Sequence, residues 1–396
     1  MKISIKKYLL YTSIFAIFTE AFMFHFIIDV KLLYLIIITN YFLLLKIKKF
    51  KANLRFILFL LFVLIHGIIA YSYIGISPNY LISQIAGIVI IGTYYYNFIP
   101  LYSKDEIIKV YITMCLWVAL LGFLFFLLNL NINDDRLQSI FKEPAHYAIV
   151  IVPACYFLLT TKKYLRFAVL FLSLVLSQSS IGYMGCAMML VFSNISTKRM
   201  KYILITIPIL ITTFFYVYNN FYFLKLRVDD SYETLTAVQN GKFKPQTNQS
   251  SYALLSNTYI TNKNFQDHPF GSGLGSHYHM HTEVYLKLLR PPPYLITLKL
   301  EKTNAADAAS LSLRLISELG IFGIILIIYL LFLCVKSFNS NKFYFAQGIA
   351  IYLLLKLLRD GHYFPPELYF FIWMIYYILN DKYCTKKPEV KQIPAS

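Results

Sequence analysis

Long hydrophobic runs recur along almost the whole chain, and they constrain its fold more than any other feature. Scanning the 396 residues for apolar windows of membrane-spanning length gives about twelve candidate spans. A hydrocarbon core offers no water to backbone N–H and C=O groups, so single segments that cross it must be helical. Hydrophobic residues make up 58% of the chain and charged residues 14%, which excludes a soluble globular enzyme. The sequence therefore predicts an all-α integral membrane protein.

The candidate spans divide the chain into four parts. Residues 1–218 hold about nine spans, residues 219–308 form one long polar segment, residues 309–381 hold about three further spans, and residues 382–396 form a tail. The first span is too long for the apolar region of a signal peptide and lacks a small-residue cleavage site, so we expect it to be uncleaved. The spans lie near residues 8–29, 32–45, 56–73, 80–98, 110–130, 144–160, 165–178, 181–195, 202–218, 310–335, 343–358 and 364–380.

The basic residues predict how these spans are oriented. The formal net charge is +18, and with the N-terminus inside, the connections on the cytoplasmic side carry most of the Lys and Arg residues and few acidic ones. This asymmetry is what the positive-inside rule requires. It explains the net positive charge of the chain without a nucleic-acid partner. Both termini are therefore expected in the cytoplasm. The long polar segment and several short polar turns then share the opposite, outer side.

Arg136, Glu143 and His146 form the first candidate cluster, in the run RLQSIFKEPAHYA. Pro144 is typical of a first helical turn, which leaves Glu143 beside a helix N-terminus, where a carboxylate is favoured. These residues would lie at the outer mouth of a span. The alternative is a plain capping carboxylate next to a solvated arginine.

Arg314 and Glu318 form the second candidate, because they stand four residues apart on one helix face within an apolar sequence. Charges at membrane depth are costly and usually face a cavity, which indicates a functional role. The alternative is an ion pair in which the two side chains satisfy only each other. Gly320 and Gly323 allow close helix packing in either case.

Arg359, Asp360 and His362 form the third candidate, in a tight turn through Gly361. A guanidinium, a carboxylate and an imidazole in one turn can hold a phosphate and move a proton, as transfer from a phosphate leaving group requires. The alternative is an ordinary polar turn anchored by its aromatic neighbours.

The long polar segment adds a glycine-rich stretch and three closely spaced histidines. The stretch at 269–275 follows no strand and lacks a Lys-Ser/Thr ending, so we predict a tight turn rather than a nucleotide-binding loop. The spacing of His277, His279 and His281 allows zinc, but no carboxylate has the matching spacing. We therefore predict no metal.

Taken together, the motifs resemble those of the O-antigen polymerase family, Wzy, within the superfamily of polymerases and ligases that act on lipid-linked glycans. The resemblance rests on the R-x-x-x-x-F-x-E-P-x-H run from Arg136, the G-x-G-x-G turn at Gly271, the E-L-G-I-x-G run at Glu318 and the R-D-G-H-Y turn at Arg359. It implies about twelve transmembrane helices with one large periplasmic loop, in a GT-C-like architecture.

The resemblance also implies an activity, a location and partners. Members of this family are metal-independent glycosyltransferases without a cofactor, which work at the periplasmic face of the bacterial inner membrane. They transfer a growing glycan from undecaprenyl pyrophosphate to the non-reducing end of a new lipid-linked repeat unit. The chain-length regulator and the flippase of the same pathway are the protein partners it implies, beside the membrane lipid.

The same resemblance assigns roles to the candidate residues. The acceptor hydroxyl would lose its proton to one of three residues, and the sequence leaves open which: Glu143, Asp360 or His362. The pyrophosphate, whose departure develops negative charge, would be held by guanidinium and imidazole groups. These are Arg136, His146, Arg227, Arg290, Arg314 and Arg359.

Three other functions compete with polymerisation, and one of them is a purely structural membrane subunit of a glycan-assembly complex. An O-antigen ligase would use the same donor, but ligases often place a His-Asn pair ahead of the Glu-x-Gly run, whereas here Asn304 follows Thr303. A polysaccharide flippase or other transporter would place its charges in a central cavity and would not need a long segment on one side. Both features favour a polymerase.

Overall fold

The computed structural model of the protein describes residues 4–25, 29–130, 136–193, 237–339 and 343–380, and a few isolated positions between 194 and 236. Helices are the main regular elements of this described part, and turns and loops join them. The exception is a short antiparallel hairpin of β1 (Met23–His25) and β2 (Asp29–Lys31). Four helical segments are long and apolar enough to cross a membrane: Leu54–Ile74, Asn79–Leu101, Lys104–Leu127 and Ile321–Phe338.

The helices follow the predicted apolar windows in order, with several of them shorter than expected. The first half of the described chain has eight: α1 (Ile5–Phe15), α2 (Leu32–Ile47), α3 (Leu54–Ile74), α4 (Asn79–Phe98), α5 (Lys104–Leu127), α6 (Pro144–Thr160), α7 (Tyr164–Leu176) and α8 (Ser180–Ser193). The second half of the described chain has α9 (Ala237–Asn240), α10 (Gln249–Asp267), α11 (His277–His279), α12 (Pro293–Thr297), α13 (Leu311–Leu319), α14 (Ile321–Phe338), α15 (Tyr344–Arg359) and α16 (Pro366–Leu379). A π-helical turn, Met280–Tyr285, continues α11.

Helices α6 and α15 form the centre of the bundle, and most of their side chains are buried. They approach closely because Gly348 has no side chain: a Cβ there would lie 2.8 Å from the carbonyl oxygen of Pro153. The start of α6 lies beside the end of α15, so the two run antiparallel, and polar residues from both meet at the same end of the bundle.

The basic connections gather at the other end of the bundle. Nζ of Lys48 donates a hydrogen bond to the carbonyl oxygen of Asn97 (3.2 Å), and the backbone N–H of Lys51 donates to the Asn97 side chain (2.9 Å). The Tyr102 hydroxyl donates to the carbonyl oxygen of Lys6 (2.7 Å). The connections at 46–55 and 99–103 therefore share one face with the N-terminal segment, as the charge pattern predicts; which side of a membrane this face occupies stays a prediction.

The prediction of one continuous span over 8–29 is wrong. Helix α1 ends at Phe15, and a 3₁₀ turn follows over Ala16–Phe18. The Thr19 hydroxyl then donates to the carbonyl oxygen of Ala16 (2.9 Å), and the chain reverses through the β1–β2 hairpin. Glu20 follows the end of the helix, and there its carboxylate pairs with the His146 ring. A carboxylate in an apolar window needs such a partner.

The predicted span over 310–335 is two helices rather than one. Gly320 separates α13 from α14 with φ 59° and ψ −131°, a conformation that residues with a side chain avoid. The break lets the backbone N–H of Ile321 donate to the carbonyl oxygen of Pro269 (3.0 Å), which docks the long polar segment onto the bundle. The predicted span at 202–218 lies almost entirely outside the described residues.

Replacing Gly320 with alanine is expected to lower the free energy of unfolding by about 3 kcal/mol or more, since a Cβ there would lie 2.2 Å from the carbonyl oxygen of Pro269. Gly75 is the matched control: it also has a positive φ (82°), but a Cβ there meets nothing within 4 Å. Gly75→Ala should therefore lose only about 1 kcal/mol. Thermal unfolding of the two purified variants in detergent measures the difference, and equal losses would contradict the packing argument.

Candidate functional site

A cluster of charged side chains lies where α15 ends and α6 begins. Lys356, in the last turn of α15, is fully buried, and its Nζ lies 2.9 Å from Oδ2 of Asp360. The other Asp360 oxygen accepts a hydrogen bond from the backbone N–H of His362 (3.1 Å). Asp360 therefore links a buried ammonium to the turn that carries the histidine.

His362 is the most accessible member of this cluster. Its side chain is 45% exposed, whereas the side chain of Asp307, whose Oδ2 lies 3.7 Å from Nε2 of His362, is 11% exposed. Burial among the packed residues lowers the pKa of the His362 imidazole, although the carboxylates of Asp360 and Asp307 act in the opposite sense and Lys356 adds to the lowering. The imidazole is therefore neutral at pH 7 and can accept a proton.

Asp360 is a poor proton acceptor in this arrangement. Burial alone opposes ionisation of its carboxyl group, but the Lys356 ammonium, helped by His362 and His146, holds the pKa of Asp360 well below its ordinary value. Its charge is thus permanent in the neutral pH range. Among the three residues predicted as the base, Asp360 fits a positioning role better.

His146 belongs to the same end of the bundle through a second carboxylate–histidine pair. Nδ1 of His146 lies 2.6 Å from Oε1 of Glu20, and its ring meets the His362 ring edge-on at a centroid distance of 5.9 Å. Glu143 precedes Pro144 as predicted, but it is exposed and its side chain makes no capping hydrogen bond. The structure thus brings His146 to His362 and leaves Glu143 on the surface nearby.

The turn that carries His362 packs against the long polar segment at Gly361. A Cβ at this position would lie only 1.6 Å from the carbonyl oxygen of Asp307, so the two backbones touch in a way that a side chain would prevent. This contact places the Asp307 carboxylate beside His362. The turn that the sequence identified and a residue about fifty positions earlier therefore build one site.

Arg314 lies behind this turn and holds it in place. Its guanidinium donates to Oε1 of Glu318 through Nε, to the carbonyl oxygen of Gly361 through Nη1 and to Oε1 of Gln84 through Nη2, each at 3.0 Å. One face of the guanidinium stacks on the Tyr363 ring at 4.0 Å. Every guanidinium nitrogen of this buried side chain thus has a protein partner.

Glu318 connects Arg314 to the glycine-rich turn. Its Oε2 accepts from the backbone N–H of Gly275 (2.7 Å), and its carbonyl oxygen accepts from the N–H of Gly273 (2.8 Å). The predicted tight turn is present, with positive φ angles at Gly271, Gly273 and Gly275. The ion pair that the sequence left as the alternative to a functional role is therefore present, but the two side chains do not satisfy only each other.

The three histidines of the long segment do not converge on a site for zinc. His277 is completely buried, with Nδ1 2.8 Å from the Ser317 hydroxyl and Nε2 2.9 Å from Oδ1 of Asn257. Burial lowers the pKa of His277 well below its ordinary value, so its ring is a neutral core group. His281 is buried as well, and burial lowers its pKa to about 4.

Asp307, Asp360 and His362 offer the one group of ligand atoms in the described residues that could hold a metal ion, all within 4.8 Å of one another. One of these carboxylates, however, is already paired with the Lys356 ammonium. A cation would have to compete with that buried positive charge, which fits a metal-independent site better.

The remaining predicted arginines lie in different places. Nη2 of Arg359 donates to the Ser250 hydroxyl (2.7 Å) in the long segment, so this guanidinium lies next to the His362 turn. Arg136 instead holds the α7–α8 turn, donating to the carbonyl oxygens of Ser177 (3.4 Å) and Gln178 (3.0 Å).

Arg290 is exposed, and its backbone pairs with the strand-like residues Gly241 and Phe243. Arg227 lies outside the described residues. The structure therefore brings Arg314 and Arg359 to the candidate site and shows a different local role for Arg136.

Three residues of the site were missed by the sequence reasoning: Glu20, Asp307 and Lys356. Glu20 and Lys356 are charged residues inside apolar windows, and the argument applied to Arg314 would have found both. Asp307 lies in a polar segment where acidic residues are unremarkable. Only the packing of Gly361 against its backbone identifies it.

Comparison with known proteins adds no assignment to this geometry. No family model matches the chain, and no curated protein matches it. Family membership therefore stays a prediction from the motifs.

Proposed function

We propose that this chain is a multi-pass protein of a bacterial inner membrane that polymerises O-antigen. In this proposal it transfers the growing glycan from undecaprenyl pyrophosphate to the non-reducing end of a new lipid-linked repeat unit at the periplasmic face. About twelve spans in a GT-C-like arrangement, with both termini cytoplasmic, belong to the same proposal. The four long apolar helices support its membrane part, and the order of the motifs supports its family.

The observation that carries the proposed chemistry is the accessible imidazole of His362 close to two carboxylates. Asp360 accepts from the backbone N–H of His362 and fixes the turn, and Oδ2 of Asp307 lies 3.7 Å from Nε2, while almost half of the side chain stays open. A neutral histidine beside a carboxylate is a common general base. Of the three candidates from the sequence, His362 is the one we assign to deprotonate the acceptor hydroxyl.

The glycosyl transfer then consists of one proton transfer, one bond that forms and one bond that breaks. The acceptor oxygen loses its proton to His362 and forms a bond to the anomeric carbon of the donor glycan. The bond between that carbon and the pyrophosphate oxygen breaks, and the electron pair leaves with undecaprenyl pyrophosphate. Arg359 lies on the same turn and uses Nη2 for Ser250, so its other donors can bind the developing charge.

Asp307→Asn is expected to move the acid limb of the rate–pH profile to lower pH and to reduce the rate at pH 7 by roughly tenfold. The neutral imidazole is the active form, so activity is present above the pKa of His362 and is lost as the pH falls through it. The Asp307 carboxylate raises that pKa against the effect of burial, so its removal lowers the pKa further. The rate of glycan extension by reconstituted protein, measured against pH, tests this expectation.

Asp267→Asn is the matched control, because its carboxylate accepts from the Tyr285 hydroxyl (2.7 Å) in the same long segment, away from the candidate site. It should leave the acid limb unchanged. A slower Asp307→Asn enzyme with an unmoved acid limb would contradict the role of Asp307 and leave it a purely structural residue.

The proposed function as a whole is tested by the lipopolysaccharide banding of host cells that lack this gene. A polymerase predicts core that bears a single repeat unit, with the long ladder restored by the wild-type gene. Bare core would favour an O-antigen ligase or a flippase instead, and an unchanged ladder would refute the proposal. The site favours an enzyme over a transporter, because its charges lie at one end of α6 and α15 rather than midway along them.

A further inference from the structure

A small basic pocket lies between α5, α6 and α7, at the end of α6 opposite to His146. Its volume is about 300 Å³. Three basic residues, one acidic residue and three apolar residues border it: Lys109, Lys163, Arg166, Asp105, Ile108, Ile112 and Phe157. None of them contributes to the candidate site for glycan transfer, so the pocket needs a separate explanation.

The basic side chains of this pocket have no anionic partner among the residues that the structure describes. Within the described part of the chain, Lys109, Lys163 and Arg166 form no salt bridge, and Nζ of Lys163 lies 6.0 Å from the centre of the Phe157 ring. The positive-inside pattern explains why basic residues occur at this end of the bundle. It does not explain why three of them surround one cavity, which leaves a net positive charge facing the same space.

The surroundings of the pocket are apolar in a way that fits a lipid. Tyr164 and Leu165 adjoin it at the start of α7, and their exposed fractions are 62% and 83%. Helix α5, which supplies Lys109, is one of the helices long enough to cross a membrane, and Lys109 lies in its second turn. Basic side chains at the end of a span lie at headgroup depth, whereas the exposed leucine and tyrosine lie where acyl chains begin.

We propose that this pocket binds the headgroup phosphate of an anionic phospholipid, with its acyl chains against the exposed start of α7. The proposal rests on the membrane insertion in the proposed function, but it does not depend on the glycan chemistry. Three unpaired cationic groups around one cavity match a phosphodiester that presents several acceptor oxygens. A bound lipid would join α5, α6 and α7 at the cytoplasmic end.

Phosphatidylglycerol is the test lipid, and phosphatidylcholine is its uncharged comparison. The full-length protein is delipidated in a neutral detergent, and lipid binding is measured by native mass spectrometry and by the shift in melting temperature. We expect phosphatidylglycerol to bind at least about tenfold more tightly than phosphatidylcholine. The triple variant Lys109→Gln, Lys163→Gln, Arg166→Gln should lose this preference.

The matched control is the triple variant Lys46→Gln, Lys49→Gln, Lys336→Gln, which removes the same charge from equally exposed positions outside the pocket, at the same end of the bundle. It should keep the preference for phosphatidylglycerol. Equal loss in both triple variants would refute a specific pocket and leave only general surface charge. Equal binding of phosphatidylcholine by the wild-type protein would refute recognition of the headgroup charge.

Glycerol 3-phosphate distinguishes a lipid from a free phosphate. If millimolar concentrations of it stabilise the protein as much as phosphatidylglycerol does, the pocket binds a soluble anion and the lipid proposal is wrong. If the triple variant does not fold, Arg166→Gln alone is tested, and it should still weaken phosphatidylglycerol binding several-fold. Because binding is measured without glycan substrates, failure here would leave the proposed polymerase activity unaffected.

Discussion

Host cells that carry His362→Ala are expected to lose the long O-antigen ladder while keeping the protein at its normal level. The imidazole is the exposed group of the site, and general base catalysis typically contributes about 10²- to 10⁴-fold to a rate. Its removal leaves the buried contacts of Arg314 and Lys356 in place, so the fold should tolerate the change. The measurement is the number of repeat units on lipopolysaccharide, at a protein level matched by immunoblotting.

His268→Gln is the control for this experiment. His268 lies in the same long polar segment, at the end of α10, and its backbone makes the local hydrogen bonds there. This variant should keep the full ladder. A normal ladder in His362→Ala would remove His362 as the base, and Glu143 would then be the remaining candidate that the structure leaves exposed.

Local spacing predicted the part of the site that lies within one turn. Arg359, Asp360 and His362 adjoin one another in the sequence, so their proximity follows from chain connectivity. The i,i+4 spacing of Arg314 and Glu318 likewise allowed an ion pair, as the alternative to a functional role, and the structure has it at 3.0 Å. These contacts need no knowledge of the fold.

Contacts between distant segments could not be predicted in this way. Asp307 reaches His362 only because a missing side chain at Gly361 lets two backbones touch, and Gln84 reaches Arg314 from the start of α4. Neither residue type is unusual where it stands in the sequence. Their roles depend on helix packing, which a single sequence does not display.

The two wrong spans have a related cause. An apolar window measures the average hydropathy of a segment, and it is insensitive to one residue that ends a helix. Glu20 and Gly320 each interrupt a long apolar run, the first because its carboxylate pairs with His146 and the second because of its positive φ. Charged residues and glycines inside apolar windows were the available signals, and the glycines were interpreted as packing positions only.

Arg314→Ala is expected to remove folded protein rather than activity alone. The guanidinium joins α13, α4 and the His362 turn, and its loss leaves the Glu318 carboxylate buried without its counter-ion. Breaking a buried pair in this way typically lowers the free energy of unfolding by about 3–5 kcal/mol. The amount of full-length protein in the membrane fraction and the melting temperature in detergent measure this loss.

Arg359→Ala is the comparison that separates stability from substrate binding at the same end of the bundle. It removes one hydrogen bond to the Ser250 hydroxyl at a half-buried position, so the protein level should stay normal while the ladder shortens. If Arg314→Ala instead kept its melting temperature and lost only activity, Arg314 would bind the pyrophosphate directly. In that case the contacts to Gln84 and Gly361 would have to open when substrate binds. The burial of Arg314 and its stacking on Tyr363 favour the first outcome, since the residue is only 4% exposed and three of its five N–H donors already have protein partners.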